Sequence, residues 1–183
     1  MPVEDAVKFS DLKKVNFLND ETESSIKRLK NEYGIDAPES VIEQFYIDHS
    51  DKFQYQKLYG EINLYSIEWQ LVEIPTCKML NLGRSATHPD FLLETSEDAS
   101  NYDEVGDSAI DCREDVLEQW KLHGTWITPP IFINGEILGK PEIDLHLVEG
   151  HTRVGCLCGL TKYHVFHVAE VHKVYLGKLK CIS

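Results

Sequence analysis

The sequence predicts an α+β fold, and three observations carry that expectation. Residues 1–60 hold apolar positions at helical spacing, punctuated by Gly34 and Gly60. At Glu61 the period changes to the alternation of strands. Residues 145–160 then read as an apolar strand, a turn at Glu149-Gly150 and a helix expected to close at Gly159. At 183 residues the chain is long enough to bury a substantial core. We expect a helical extension over residues 1–60 and one mixed domain over residues 61–183.

Taken in order, residues 1–20 carry a weak helical pattern broken at Ser10 and at Asn19-Asp20. Residues 22–33 form a helix capped by Thr22 or Ser24, with Ile26 and Leu29 on one face and Gly34 as the stop. Pro38 opens the next helix, whose stripe is Val41, Ile42, Phe45 and Tyr46. A third helix spans residues 51–59, and Phe45, Tyr46, Phe53, Tyr55 and Tyr59 pack this region. Ile62, Leu64, Ser66, Trp69, Leu71 and Ile74 give one or two strands ending at Pro75. Residues 81–90 form a polar loop with Arg84, Ser85 and His88, and residues 94–111, acidic and rich in small side chains, a long mobile loop. Residues 112–123 make a helix with Val116, Leu117 and Trp120 inward, ended by Gly124. Residues 131–133 are a short strand, and Asn134-Gly135 signals a hairpin to a partner at residues 136–138. Residues 142–148 form a buried strand, residues 163–171 a further strand, and the tail is strand or irregular.

Lys and Arg number 18 against 31 Asp and Glu, a net charge of −13 with His neutral. That surface repels phosphate backbones, so nucleic-acid binding is disfavoured, and the acidity suits solubility or the binding of a basic protein partner. No apolar run reaches the length of a membrane span, and residues 1–5 lack the pattern of a signal peptide. The five cysteines include no Cys-x-x-Cys pair, which reads as reduced thiols in a cytoplasmic protein. A zinc site from Cys112, Cys156 and Cys158 is unsupported by their spacing.

The chemistry concentrates at the turn before the last helix. A turn opening directly into a helix presents main-chain N–H groups backed by the positive end of the helix dipole, a seat for phosphate. Gly150 admits close approach, Thr152 offers a hydroxyl, and Arg153 brings a planar fork suited to phosphate or carboxylate oxygens. The competing reading is a structural turn capped by Thr152, with Arg153 as an ion-pair partner and His151 as a packing residue.

Several segments together resemble one superfamily. Residues 114–124 end in Lys121-Leu122-His123-Gly124, residues 126–133 follow as a strand, and Leu147-Val148-Glu149-Gly150-His151-Thr152-Arg153 forms the turn. This order resembles the ParB/sulfiredoxin superfamily over residues 111–171, with weaker support from residues 69–89. The resemblance implies a mixed sheet with flanking helices. ParB partition proteins carry Gly-Glu-Arg-Arg at the turn, and one of those arginines is missing here. Sulfiredoxins carry Gly-Cys-His-Arg, and His151 replaces the cysteine, which excludes sulfinic-acid reduction through that thiol. Free serine kinases carry Asp-Gly-His-Thr-Arg, and this chain matches with Glu149 in place of Asp. What the resemblance implies is a phosphotransferase holding ATP, ADP or CTP with Mg²⁺. Gly150, His151, Thr152 and Arg153 would cradle phosphate, with His151 and Glu149 as catalytic residues and Glu149 as the metal ligand. Arg84 and Ser85 would add cofactor contacts, with His88 and Glu73 as secondary candidates. The alternative is a non-catalytic, acidic interaction or regulatory protein that keeps the same fold. A nuclease role ranks last, because one acidic residue at the turn makes a poor phosphodiester site.

Overall fold

The change of period after Glu61 produces a 3-10 turn at Leu64–Ser66 and then a nine-residue strand, β1 (Ile67–Pro75). In the computed structural model, which describes residues 6–15, 17, 21–82, 85–110 and 112–181, three further strands follow. These are β2 (Ile131–Ile133), β3 (His146–Glu149) and β4 (Val171–Leu179), and the four form a mixed sheet in the order β1-β4-β2-β3. Helices and a mixed sheet in one chain make the fold α+β. The chain divides into two compact units. One comprises Met1–Gln70, Ile133–Leu145 and Leu176–Ser183, the other Leu71–Phe132 and His146–Tyr175.

In the first unit, α1 (Thr22–Asn31) buries Ser25, Ile26 and Leu29. α2 (Glu39–Val41) runs on into a π-helical segment, Ile42–Ile47, which turns Ile42, Phe45 and Tyr46 inward, and α3 (Phe53–Tyr59) adds Tyr55 and Tyr59. Phe9, from a 3-10 turn at Phe9–Lys14, stacks on Phe45 at 4.9 Å between ring centroids and meets Tyr59 edge-on at 6.1 Å. Such aromatic pairs contribute about 0.5–1.5 kcal/mol each beyond the area they bury. The Trp69 indole N–H donates to the Tyr46 hydroxyl at 3.1 Å, and burial raises the Tyr46 pKa above its ordinary value against that bond's opposing effect. Phe53 departs from the expected cluster: it is 80% exposed, because it opens α3 on the side away from Tyr55 and Tyr59. The expected hairpin at Asn134-Gly135 is replaced by a 3-10 turn, Gly135–Leu138. Asn134 has φ −70° where a two-residue hairpin turn requires positive φ, and its side chain instead accepts the Glu136 N–H at 2.9 Å.

In the second unit, α4 (Thr76–Leu80) precedes α5 (Pro89–Glu97), and the segment expected to be mobile is helical throughout most of its length. A 3-10 turn at Asp98–Asn101, α6 (Tyr102–Val105) and a second 3-10 turn at Gly106–Ala109 complete it. Its small residues serve close packing. α5 crosses α8 (His151–Lys162) where Gly155 and Gly159 face it. A Cβ on Gly155 would stand 2.7 Å from the Thr95 Cβ and 3.0 Å from the Leu92 carbonyl oxygen. One on Gly159 would stand 2.6 Å from the Ser96 carbonyl oxygen. Gly159 therefore does not close its helix, as the sequence suggested: it is a contact point within a helix that continues to Lys162.

α7 (Glu114–His123) ends as expected at Gly124, which sits in the left-handed region at φ +64°. Its Trp120 packs edge-on against Trp126, and His172 lies over Trp126 at 4.6 Å. The strand expected at residues 163–171 begins only at Val171, because Tyr163 caps α8 and His164 takes a positive φ of 55° that breaks the extended run. The strand expected from residue 142 likewise starts at His146. Among the described residues no helix is long and apolar enough to cross a membrane.

Candidate functional site

β3 delivers the chain to Gly150, which caps α8 with φ +99° and ψ +29°. Only glycine takes that conformation at low cost. The space is closed to a side chain as well, since a Cβ would lie 2.5 Å from the Pro130 Cβ and 3.1 Å from the Arg153 Nε. The turn is thus packed on Pro130 at one side. No side chain caps α8, so Thr152 does not play the capping role considered from sequence. It is exposed on the first turn and lines a small cavity with Thr95, Asp98 and Cys156. The helix ladder starts with the Val154 N–H donating to the Gly150 carbonyl at 2.9 Å. The three preceding amides therefore have no acceptor within their own helix.

Arg153 returns over the turn. Its Nη1 donates to the carbonyls of Thr128 at 2.8 Å and Pro129 at 3.3 Å. Its Nη2 lies 3.7 Å from Oε1 of Glu149, a loose ion pair whose side chains are 19% and 25% exposed. Burial draws the Arg153 pKa below its ordinary value and the Glu149 carboxylate opposes that shift, but a guanidinium stays charged. Those bonds fix the plane of the guanidinium beside the opening of α8.

Residues 85–88 run alongside β3. Ala86 forms a parallel bridge with Leu147, the Leu147 N–H donates to the Ser85 carbonyl, and the Thr87 N–H donates back to Leu147. The buried Thr87 hydroxyl is shared between the carbonyls of Leu147 and Val148, at 3.1 Å each. This clasp brings His88 to the turn. The His88 main-chain N–H donates to Nε2 of His151 at 3.1 Å, and the two rings meet edge-on at 5.3 Å. His151 is 5% exposed. Because its Nε2 accepts, its proton resides on Nδ1 and the ring is neutral.

The structure therefore gathers Glu149, Gly150, His151, Thr152, Arg153 and His88 at one turn, with Ser85 three residues before His88 on the paired segment. Arg84 lies outside the described residues. Glu73, on β1, stands apart, since three strand spacings separate β1 from β3, roughly 14 Å. Thr87 and the Thr128 and Pro129 carbonyls were not anticipated. The Pro129-Pro130 pair was the available signal for the last two, since prolines lack the N–H that would draw their segment into a sheet ladder. Among the described residues no group of three or more His, Cys, Asp or Glu side chains is arranged to hold a metal. Comparison with protein-family models, with curated proteins and with solved structures finds no match for this chain.

Proposed function

We propose that the turn from Glu149 to Arg153 binds the phosphates of a nucleotide, ATP, ADP or CTP, and that the protein is a ParB-like phosphotransferase resembling the free serine kinases. The observation that carries this reading is the opening of α8 at a glycine, without a side-chain cap and with the Arg153 guanidinium held beside it. Phosphoryl transfer asks a protein mainly for positioning and for charge aimed at the phosphate oxygens. In this reading the first-turn amides of α8 and the Thr152 hydroxyl bind phosphate oxygens. Arg153, anchored through Nη1, brings its positive charge to the same oxygens, and the His151 ring borders the turn. Ser85 borders the site from the segment beside β3. Glu149 is the carboxylate within residues 149–153, and it serves as metal ligand or as proton acceptor for the attacking group. A single carboxylate fits Mg²⁺ delivered on nucleotide phosphates better than a resident ion in an all-protein cage. Magnesium would neutralise phosphate charge there.

Isothermal titration with ATP, ADP and CTP, each with Mg²⁺, tests the reading. Binding by at least one nucleotide, lost in Arg153→Ala and made magnesium-independent in Glu149→Gln, is the expected result. No binding by any of the three, or binding unchanged in Arg153→Ala, overturns it.

The bonds of Arg153 to the Thr128 and Pro129 carbonyls favour a second reading, in which the turn is a structural clasp. The protein is then an acidic, non-catalytic partner-binding or regulatory protein. Under that reading Arg153→Ala lowers the melting temperature and leaves a stoichiometric complex with a basic partner as the activity to find.

A further inference from the structure

The other end of α8 borders a cavity that the turn chemistry leaves unused. Its volume is about 330 Å³, and it lies among α4, α5 and α8. That is within the range of small-ligand sites, at the lower end. Met79, Leu80, Leu82, Leu92 and Leu93 make its apolar walls. Leu93 is 58% exposed and Leu80 37% exposed, so the mouth itself is apolar. The Cys158 thiol completes the wall, and burial pushes its pKa up to about 11, which keeps it neutral.

The polar rim has a definite hydrogen-bonding sense. The Ser96 hydroxyl donates to the Leu93 carbonyl at 2.7 Å, and the Thr161 hydroxyl donates to the Leu157 carbonyl at 2.8 Å. Each hydroxyl has one proton, so both present only lone pairs to the cavity. Glu97 accepts from Lys162 at 2.6 Å and from the Tyr163 hydroxyl, which neutralises its charge and leaves further lone pairs. Beside Ser96 and Thr161 a ligand's head group therefore meets acceptors, to which a carboxylate or phosphate brings only lone pairs of its own. At the rim Lys162 and Glu97 balance each other, so a charged head group of either sign meets like charge there as well as opposite charge.

We propose that this cavity is a binding site for a small apolar molecule ending in a hydroxyl group, an alkyl or aryl alcohol. Its hydrocarbon body lies against Met79, Leu82 and Leu92, and its hydroxyl proton is donated to Ser96 or Thr161. The site does not depend on the nucleotide reading, since its residues and those of the turn do not overlap.

Three probes that share an eight-carbon chain separate the head groups: 1-octanol, octanoate and octylamine. Each is titrated into the full-length protein, with binding followed by chemical-shift changes at α5 and α8. We expect saturable binding of 1-octanol at least tenfold tighter than of the other two. Thr161→Val together with Ser96→Ala removes the acceptors while keeping the walls, and should weaken 1-octanol about tenfold without changing the binding of octyl methyl ether. Leu93→Gln, at an exposed position where folding is not at stake, should weaken 1-octanol and the ether alike. The proposal is overturned if 1-octanol does not saturate, if octanoate or octylamine binds as tightly, or if the acceptor variant leaves the alcohol unaffected.

Discussion

Replacing Gly159 by alanine puts two opposed effects in one methyl group. In a helix interior, alanine is favoured over glycine by about 0.8–1.0 kcal/mol. Against that, the new Cβ would lie 2.6 Å from the Ser96 carbonyl oxygen, where ordinary contact begins at 3.4 Å. α5 and α8 must then separate by about 0.8 Å, because the obstacle is main chain and cannot rotate away. A gap of 0.5–1 Å forfeits roughly a quarter to a half of each pairwise dispersion contact along the crossing. Overpacking of this kind typically costs about 1–3 kcal/mol. The net expectation is destabilisation of up to about 2 kcal/mol. For a chain of this size each kcal/mol corresponds to about 2–4 °C in melting temperature. Urea unfolding followed by circular dichroism should show a lower midpoint with an unchanged slope. Gly155→Ala meets similarly fixed obstacles, the Thr95 Cβ at 2.7 Å and the Leu92 carbonyl oxygen at 3.0 Å, and should destabilise by a comparable amount. If Gly159→Ala melts at or above the parent temperature, helix propensity has prevailed and the close crossing of α5 and α8 is wrong.

Gly150→Ala combines a left-handed φ with a Cβ 2.5 Å from Pro130, and should destabilise by at least the roughly 1–2 kcal/mol that such a φ costs an L-residue, read as a drop in urea midpoint. Arg153→Ala removes the donor to two carbonyls that water can partly reach and should cost about 0.5–1.5 kcal/mol, whereas Arg153→Lys should recover only part of that in the same unfolding assay. His172 is 1% exposed, and burial draws its pKa down from 6.5 to about 4, against a smaller opposing effect from the Ala169 main chain. Its Nδ1 bonds Thr125 while its Nε2 has no partner among the described residues, so the charged ring would be under-satisfied. The unfolded chain therefore binds the proton first, and stability falls as pH drops from about 6.5 toward 4, by at most about 1.4 kcal/mol per pH unit. His172→Phe should flatten that limb of the stability-against-pH curve, and an unchanged slope would assign it to other groups.

Patterning made the helices of the first unit legible, because Ile26, Leu29, Val41, Ile42, Phe45 and Tyr46 recur at the spacing of one buried face. Gly124 was legible as a helix stop for the same local reason, a left-handed residue after a basic last turn. The strand–turn–helix at Gly150 was readable too, and with it the residues that gather there. What escaped was tertiary. Residues 94–111 look like a loop because their small side chains carry no apolar stripe, but small side chains are what lets α5 approach the glycines of α8. Val165, Val168 and Val171 give residues 163–171 the β-branched content of a strand, yet His164 has already turned the chain. Glu73 looked like a companion to Glu149 until the strand order placed their strands at opposite edges of the sheet. The clasp of Thr87 on β3 depends on two segments sixty residues apart, and nothing local announces it.

The glycine contact also separates two kinds of robustness. Ion pairs such as Lys162–Glu97 and Lys121–Asp107 lie in solvent, where dissolved salt weakens them. The contacts at Gly155 and Gly159 themselves involve no charge and no titrating group and rest on shape, with Lys162–Glu97 spanning the same two helices one turn further on. A strongly anionic coat thus surrounds a joint indifferent to brine and acidity. Buffer composition should reshape the periphery of the second unit long before it loosens that joint.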